Sequence, residues 1–303
     1  MRDRAQIRLL PDGRRLYLHD GPIDLIVDGF GDRSQVQAAY RAAAERFVHV
    51  LDELCGELSI LRQPFHSDAP LPTGVIARRM AAAVAPYASE TFITPMAAVA
   101  GAVAEEILGA MTSAAILDRA YVNDGGDIAI HFEPGQHFIV GMVERPDRPS
   151  LFGRAILDAG QPVRGIATSG WRGRSFSLGI ADAVTVLART AAQADAAATI
   201  VANAVDLPGH PAIVRCPACD LQPDSDLGAR LVTRDVGALQ PSEIAAALGA
   251  GEDCARALLA QGLIDGAALR LHGEMRVVAL QAIDARPVRE TPGRDPLGGV
   301  IHA

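Results

Sequence analysis

The spacing of apolar and polar positions divides the chain into predictable elements. Residues 7–28 read as short strands with a turn at His19-Asp-Gly-Pro22, and 23–27 is the clearest of them. Helical spacing then takes over at Val36, Tyr40, Ala43, Phe47, Val50 and Leu54, which predicts a long amphipathic helix lying across a sheet. Ser34, with Gln37 three residues later, reads as its N-cap and capping box. A proline-rich loop at 64–74 precedes a predicted helix over 75–84. Thr94-Pro95 marks another helix start, because proline at the first helical position gives up no needed N–H. The segment 96–111 that follows is almost wholly Ala, Val, Ile and Leu, as an internal helix would be.

Further on, strands are expected at 127–132 and 137–144 around the turn Glu133-Pro-Gly-Gln136, with His131 and His137 as hairpin residues. A strand at 183–187 leads into a helix at 191–204. Pro208, Pro211, Pro217 and Pro223 then break up a connecting segment. Two short helices (242–248 and 252–261) and a hairpin around Gly273 complete the pattern. The Pro/Gly-rich stretch 286–303 is expected to be disordered. The partition is an α+β domain over 1–206, a small C-terminal extension over 207–285, and the tail.

Composition narrows the class. The 303 residues are 49% hydrophobic, 21% charged and only 4% aromatic, so a globular chain packed through alanine is expected rather than a disordered one. A net charge of −8 argues against broad nucleic-acid binding, which needs a cationic surface. The N-terminus lacks a signal-peptide core, and no uninterrupted apolar run reaches the ~20 residues of a membrane span. A soluble, cytoplasmic protein is the expectation, with a homodimer as one way to bury its alanine-rich helices. Four cysteines are too few for a disulfide scaffold. Cys216-Pro-Ala-Cys219 has CxxC spacing but no second ligand pair nearby for zinc, and its proline-broken setting is not that of a redox motif.

The candidate chemistry lies in three segments. Asp195 and Thr199 stand four apart on the helix at 191–204 and so share a face, where a carboxylate and a hydroxyl can jointly hold a hard cation. Asn203 continues the stripe, and a solvated helix face is the alternative. The loop Thr168-Ser-Gly170 offers two hydroxyls and a permissive backbone, with Arg172 and Arg174 to neutralise phosphate charge and Trp171 to stack on a ring. A plain turn is the alternative there. Asn123-Asp-Gly-Gly-Asp127 is either a hairpin turn or a glycine pair that lets a ligand reach the backbone.

Taken together, Val122-Asn-Asp-Gly-Gly-Asp-Ile128, Ala167-Thr-Ser-Gly170, Val184-Thr-Val-Leu-Ala188 and Ala194-Asp-Ala-Ala-Ala-Thr199 resemble, in order and spacing, the ApbE-like superfamily of FAD:protein FMN transferases. The likeness covers about residues 90–205 and is strongest to a short cytoplasmic branch, through Gly179-Ile-Ala-Asp182, residues 198–205 and Pro223-Asp-Ser-Asp-Leu-Gly228. The resemblance implies a T-fold-related α+β fold with sheets covered by helices. It implies Mg²⁺ at Asp195 and Thr199, and FAD or FMN against Gly125, Gly126, Asp127, Thr168, Ser169 and Gly170. It also implies a protein acceptor for FMN. Two features of the transferases have no counterpart: a histidine-bearing segment between the TSG loop and the VTV strand, where nine residues separate Gly170 from Ile180, and a lysine near Val99-Ala-Gly-Ala-Val103. Two other functions follow from the same resemblance: a part in assimilating sulfide into homocysteine, with Cys216 and Cys219 as the suggestive residues, or a non-catalytic scaffold that kept the fold.

Overall fold

The computed structural model describes residues 4–143, 151–279, 283–284 and 301–302. The strands are β1 (Gln6–Leu9), β2 (Leu16–Asp20), β3 (Ile23–Phe30), β4 (Arg119–Asp124), β5 (Asp127–Phe132), β6 (His137–Val143), β7 (Leu151–Asp158), β8 (Gly165–Ser169), β9 (Ala183–Ala188), β10 (Ile213–Pro217), β11 (Leu231–Val236), β12 (Gly266–Leu271), β13 (Glu274–Ala279), β14 (Ile283–Asp284) and β15 (Ile301–His302). The helices are α1 (Arg33–Gly56), α2 (Leu58–Leu61), α3 (Val75–Val84), α4 (Val99–Ala114), α5 (Ala191–Ala204), α6 (Ala218–Leu221) and α7 (Pro241–Ala260). They form two compact units. The first comprises Met1–His137, Asp158–Ile166 and Arg189–Ala196; the second comprises Phe138–Leu157, Ala167–Ala188 and Ala197–Ala303. The partition at 206/207 drawn from composition stands beside these units as a proposal.

In the first unit β1 to β5 form an antiparallel meander. Period-two alternation on β2 and β3 turns Leu16, Leu18, Leu25 and Val27 to one side, in register with Val122 on β4. Helix α1 brings Ala39, Ala43, Phe47, Val50 and Leu54, all buried, and packs with α4 and the strands. Pro95–Ala114 is the one helical stretch among the described residues as long and apolar as a membrane span. It packs on α1, α3, β4 and β5, which accounts for its apolar surface.

Charge enters this core at Asp28 on β3. It is fully buried, with Arg14 Nη2 at 2.9 Å from its Oδ2. Burial pushes its carboxyl up to about 6, against the opposing pull of Arg14 and Arg15. At Asp20, Arg4 supplies a bidentate pair at 2.5 and 2.9 Å.

Two expectations for this unit change. Asp32, not Ser34, caps α1: its Oδ1 accepts from the Ser34 N–H at 2.8 Å, and Ser34 lies inside the helix. The Ser34 hydroxyl, like its N–H, is itself turned to the Asp32 carboxylate, so it is not free to cap. The turn at 133–136 does not close a hairpin. β5 pairs with β4 and β8, whereas β6 sits in a different sheet with β7 and β15, so His131 and His137 are not hairpin partners.

In the second unit β9 is wholly buried and pairs with β12, which pairs with β13. The β12–β13 hairpin turns at His272 and Gly273, both at positive φ, as the sequence led one to expect around Gly273. β14 and β15 flank the β7–β6 pair. Apart from Ile301–His302, which run parallel to β6, and Asp284 and Ile283 beside β7, the chain beyond 279 lies outside the described residues, and with it most of the expected tail.

The two helices expected at 242–248 and 252–261 are one, α7, opened by a capping box of Gln240 and Glu243. Gly251 does not break it. A Cβ there would fall 2.3 Å from Val205 Cγ2, so the glycine admits a neighbouring side chain rather than a turn. The segment read as a mere connector contains a second ribbon, β10 against β11. Cys216 is the penultimate residue of its first strand and Cys219 lies in α6 directly after that strand. The placement of the CxxC motif in a proline-broken loop is therefore corrected to a strand-to-helix junction.

Candidate functional site

The start of α5 is held in the first unit by backbone-to-backbone contact. A Cβ on Gly101 of α4 would lie 2.3 Å from the Ala191 carbonyl oxygen, and one on Gly165 of β8 would lie 2.1 Å from that of Thr190. Only glycine permits both approaches. Across this contact two carboxylates cap each other's helices. Asp195 Oδ2 accepts from the Gly101 N–H at 3.0 Å, near the start of α4. Glu105 Oε1 accepts from the Ala192 N–H at 2.7 Å, in the first turn of α5. Arg79 fixes Glu105 through Nε at 2.9 Å and reaches Glu106 at 3.1 Å, while Arg46 holds Glu106 at 2.7 Å.

Asp195 is half-buried, and burial pushes its carboxyl up to about 7. The N–H groups of Gly101 and Ala100 work against that rise, and the negative charge of Asp124 adds to it. Asp124 was quoted in the sequence within Asn123-Asp-Gly-Gly-Asp127 but given no role of its own. It ends β4, is 5% exposed, and directly precedes the predicted Gly125-Gly126-Asp127. The signal was its place in the same acidic turn, but its relation to Asp195 is visible only after folding. The turn itself is a two-residue hairpin loop with Gly125 and Gly126 at φ +64 and +114, braced by the Asn123 Oδ1 accepting from the Gly126 N–H at 2.8 Å.

Thr199 stands half-buried one turn beyond Asp195 on α5. Carboxylate and hydroxyl oxygens are the donors a hard cation prefers. Among the described residues no group of three or more His, Cys, Asp or Glu side chains gathers. A cation here would therefore need further oxygens from a ligand or water, the manner in which Mg²⁺ is bound beside phosphates. Asn203 is otherwise engaged: its Oδ1 accepts from the Leu178 N–H at 2.9 Å.

In the second unit Thr168 and Ser169 end strand β8, which corrects their placement in a loop, and the turn after them at Gly170, Trp171 and Arg172 is set by Asp182, a buried carboxylate that sequence reasoning quoted without a role. Its Oδ1 accepts from Arg172 Nε at 2.7 Å and Trp171 Nε1 at 3.2 Å, and its Oδ2 from the His272 N–H at 2.6 Å. Arg172 also lies over the Trp171 ring at 4.4 Å. Gly170 has φ +155, and a Cβ there would lie 2.6 Å from the Asp182 carbonyl oxygen. Thr168 Oγ1 is 2.9 Å from Thr185 Oγ1. The turn after β8 is thus tied to Asp182, and Arg172 spends its Nε on that carboxylate.

The architecture is α+β, with mainly antiparallel sheets and helices. A family model described as "AbpE bacteria" matches residues 7–277, and the chain belongs to that family. It is 39% identical over 129 residues to a UPF0280 protein of Methanopyrus kandleri, covering 42% of this chain and 48% of that one. A UPF0280 protein of Methanosphaerula palustris is 33% identical over 187 residues, 57% of this chain and 71% of its own length. The chain spans about half the length of the first of these relatives. Among solved structures, the apo form of the Pseudomonas stutzeri flavinyl transferase ApbE aligns at 10% identity and a TM-score of 0.41, covering 91% of this chain and 94% of that one.

Proposed function

We propose that this protein binds a flavin nucleotide, or a closely related phosphorylated ligand, together with Mg²⁺. Asp195, with Thr199 on the same helix, holds the cation, and the charge of Asp124 acts on Asp195 in the first unit. The observation that supports this reading is the buried setting of Asp195 at the Gly101 contact, where burial pushes its carboxyl up to about 7 and the negative charge of Asp124 adds to the cost of ionising it. A divalent cation relieves that cost. Bound there, Mg²⁺ would supply charge neutralisation to a diphosphate. In the first unit Gly125, Gly126 and Asp127 are ligand contacts in this reading; the second unit offers its own phosphate-binding candidates in Thr168, Ser169, Gly170 and Arg174, with the Arg172 guanidinium edge that Asp182 does not take. The reaction such a site supports is FMN transfer: a protein hydroxyl attacks the FMN phosphorus of FAD, the diphosphate bond breaks, and AMP leaves as the hydroxyl proton is lost.

The reading is tested by titrating Mg²⁺ into the wild type, Asp195→Asn and Asp124→Asn in a calorimeter. Binding in the wild type, weakened roughly ten-fold or more in Asp195→Asn, is expected. A second reading has its own observation, the 3.0 Å bond from the Gly101 N–H. In it Asp195 is purely a helix cap in a scaffold without chemistry. Asparagine keeps that cap, so a wild type that shows no Mg²⁺ heat at all would favour the scaffold.

A further inference from the structure

Two arginine–carboxylate pairs start from the turn between β1 and β2, and burial makes them unlike. Asp12 is exposed. Its Oδ1 accepts from the N–H groups of Arg14 and Arg15 at 2.9 and 3.0 Å, and its Oδ2 from Arg15 Nε at 2.6 Å. The Arg14 N–H, then the Arg15 side chain, hold the Asp12 carboxyl down at about 2. The Arg14 side chain turns the other way, to Asp28 on β3, which is completely buried. Neither Asp28 oxygen takes a hydrogen bond of normal geometry, so the 2.9 Å contact with Arg14 Nη2 is an ion pair without a directed hydrogen bond.

The groups that act on Asp28 come from three other parts of the first unit. The β1–β2 turn supplies Arg14 and Arg15, which pull its carboxyl down, and Asp12, which pushes it up. Helix α1 supplies Tyr40, and β4 supplies Tyr121, directly across the ladder from Asp28. Burial first, and then the charge of Asp28, raise both phenols, so neither gives up a proton near neutral pH. Arg119 stands opposite Phe30 on β4 and lies over its ring at 4.3 Å. For Asp28 burial outweighs the arginines, and its carboxyl stands at about 6. Mild acid therefore discharges Asp28 and spares Asp12. The turn has other holds besides the pair it loses. Tyr40 Oη donates to the Arg14 carbonyl at 2.9 Å and accepts from the Gly29 N–H at 3.1 Å, and the Leu10 N–H donates to the Arg15 carbonyl at 2.8 Å. The Arg14 side chain is 46% exposed, with its guanidinium 5.2 Å from the Phe30 ring centroid, so its way out to solvent is open.

We propose that Arg14 and Asp28 form an acid-operated latch: when Asp28 takes up a proton from solvent, the Arg14 side chain leaves the sheet while the backbone of the turn stays in place. A neutral carboxyl needs no counter-ion in the core, and the guanidinium regains its hydration outside. Latched, the cluster sets Arg14 and Arg15 against Asp12 and Asp28. Released, it is one positive charge richer, and that charge faces solvent. The latch does not rest on the Mg²⁺ reading of Asp195.

The test uses the full chain labelled with carbon-13 in aspartate and arginine and followed by nuclear magnetic resonance from about pH 4.5 to 8. The Asp28 carboxyl carbon is expected to titrate with a midpoint near 6, and Arg14 Cδ to pass from ordered to mobile with the same midpoint as the pH falls. Arg15, beside Asp12, is expected to stay ordered throughout. In Asp28→Asn the Arg14 transition is expected to vanish. An Arg14 equally ordered at both ends of the range, a change whose midpoint is not that of Asp28, or a transition that persists in Asp28→Asn overturns the proposal. So does release of Arg14 and Arg15 together, since the turn would then be opening as a unit. The two midpoints in the wild type decide the matter even if the variant does not fold.

Discussion

At the scale of single residues, two buried carboxylates do different work. Asp182 spends both oxygens on donors from Arg172, Trp171 and His272. Asp182→Ala should cost about 2–3 kcal/mol, because three donors lose a charged acceptor while the partly exposed arginine recovers some solvation. Trp171 is the only tryptophan, so the same variant should shift its fluorescence to the red; an unchanged spectrum would show the loop is held by other means. Asp28 works in the opposite sense. Its folded carboxyl titrates near 6 rather than 3.8, so between those values the folded chain keeps a proton the unfolded chain has lost. Its contribution is full below about pH 4 and disappears as pH rises through about 6, on the order of 2–3 kcal/mol. Denaturant melts at pH 4 and 7 should show this difference shrink in Asp28→Asn.

Sequence reasoning found Asp195 by its spacing from Thr199. It gave no role to Asp124 or Asp182, whose partners are remote: the Asp182 and His272 bond spans 90 residues, and the Gly101 and Asp195 bond spans 94. No local period reports such pairs.

At the scale of elements, the long and strongly patterned segments were legible, and the short or cap-dependent ones were not. α3 and α5 fall where their apolar spacing placed them, as does the β12–β13 hairpin. β10 and β11 were missed because they are short and only partly buried, and β10 ends in a proline, so alternation is too weak to read. α7 was divided because Gly249 and Gly251 imitate a break, whereas Gly251 is required by packing. The same logic makes Gly101→Ala and Gly165→Ala informative. Each methyl would enter the backbone at 190–191, where nothing can yield cheaply, and each should cost about 2 kcal/mol or more. Ala at the neighbouring Gly109, which has open space, should be tolerated or slightly stabilising. Equal melting temperatures for Gly101→Ala and Gly109→Ala would contradict the close approach. On α1, Phe47→Ala should lose about 3–5 kcal/mol, read as a lower urea midpoint with an unchanged slope.

At the scale of the whole molecule, family membership fixes the class, while the ligand is a proposal resting on α5 and its neighbours. The reciprocal caps of Asp195 on α4 and Glu105 on α5 give the proposed site a rigid seat. They also explain how its acidic side chain could be structural and functional at once. The central claim is that Asp195 carries a divalent cation on which nucleotide binding depends. It is tested most directly by titrating the protein against FAD, following flavin fluorescence, with Mg²⁺, with chelator, and as Asp195→Asn. Quenching that saturates with Mg²⁺ and weakens roughly ten-fold or more in the other two conditions, while the variant's melting temperature stays near that of the wild type, is the predicted result. FAD binding of equal affinity in all three, or none in any, would contradict it.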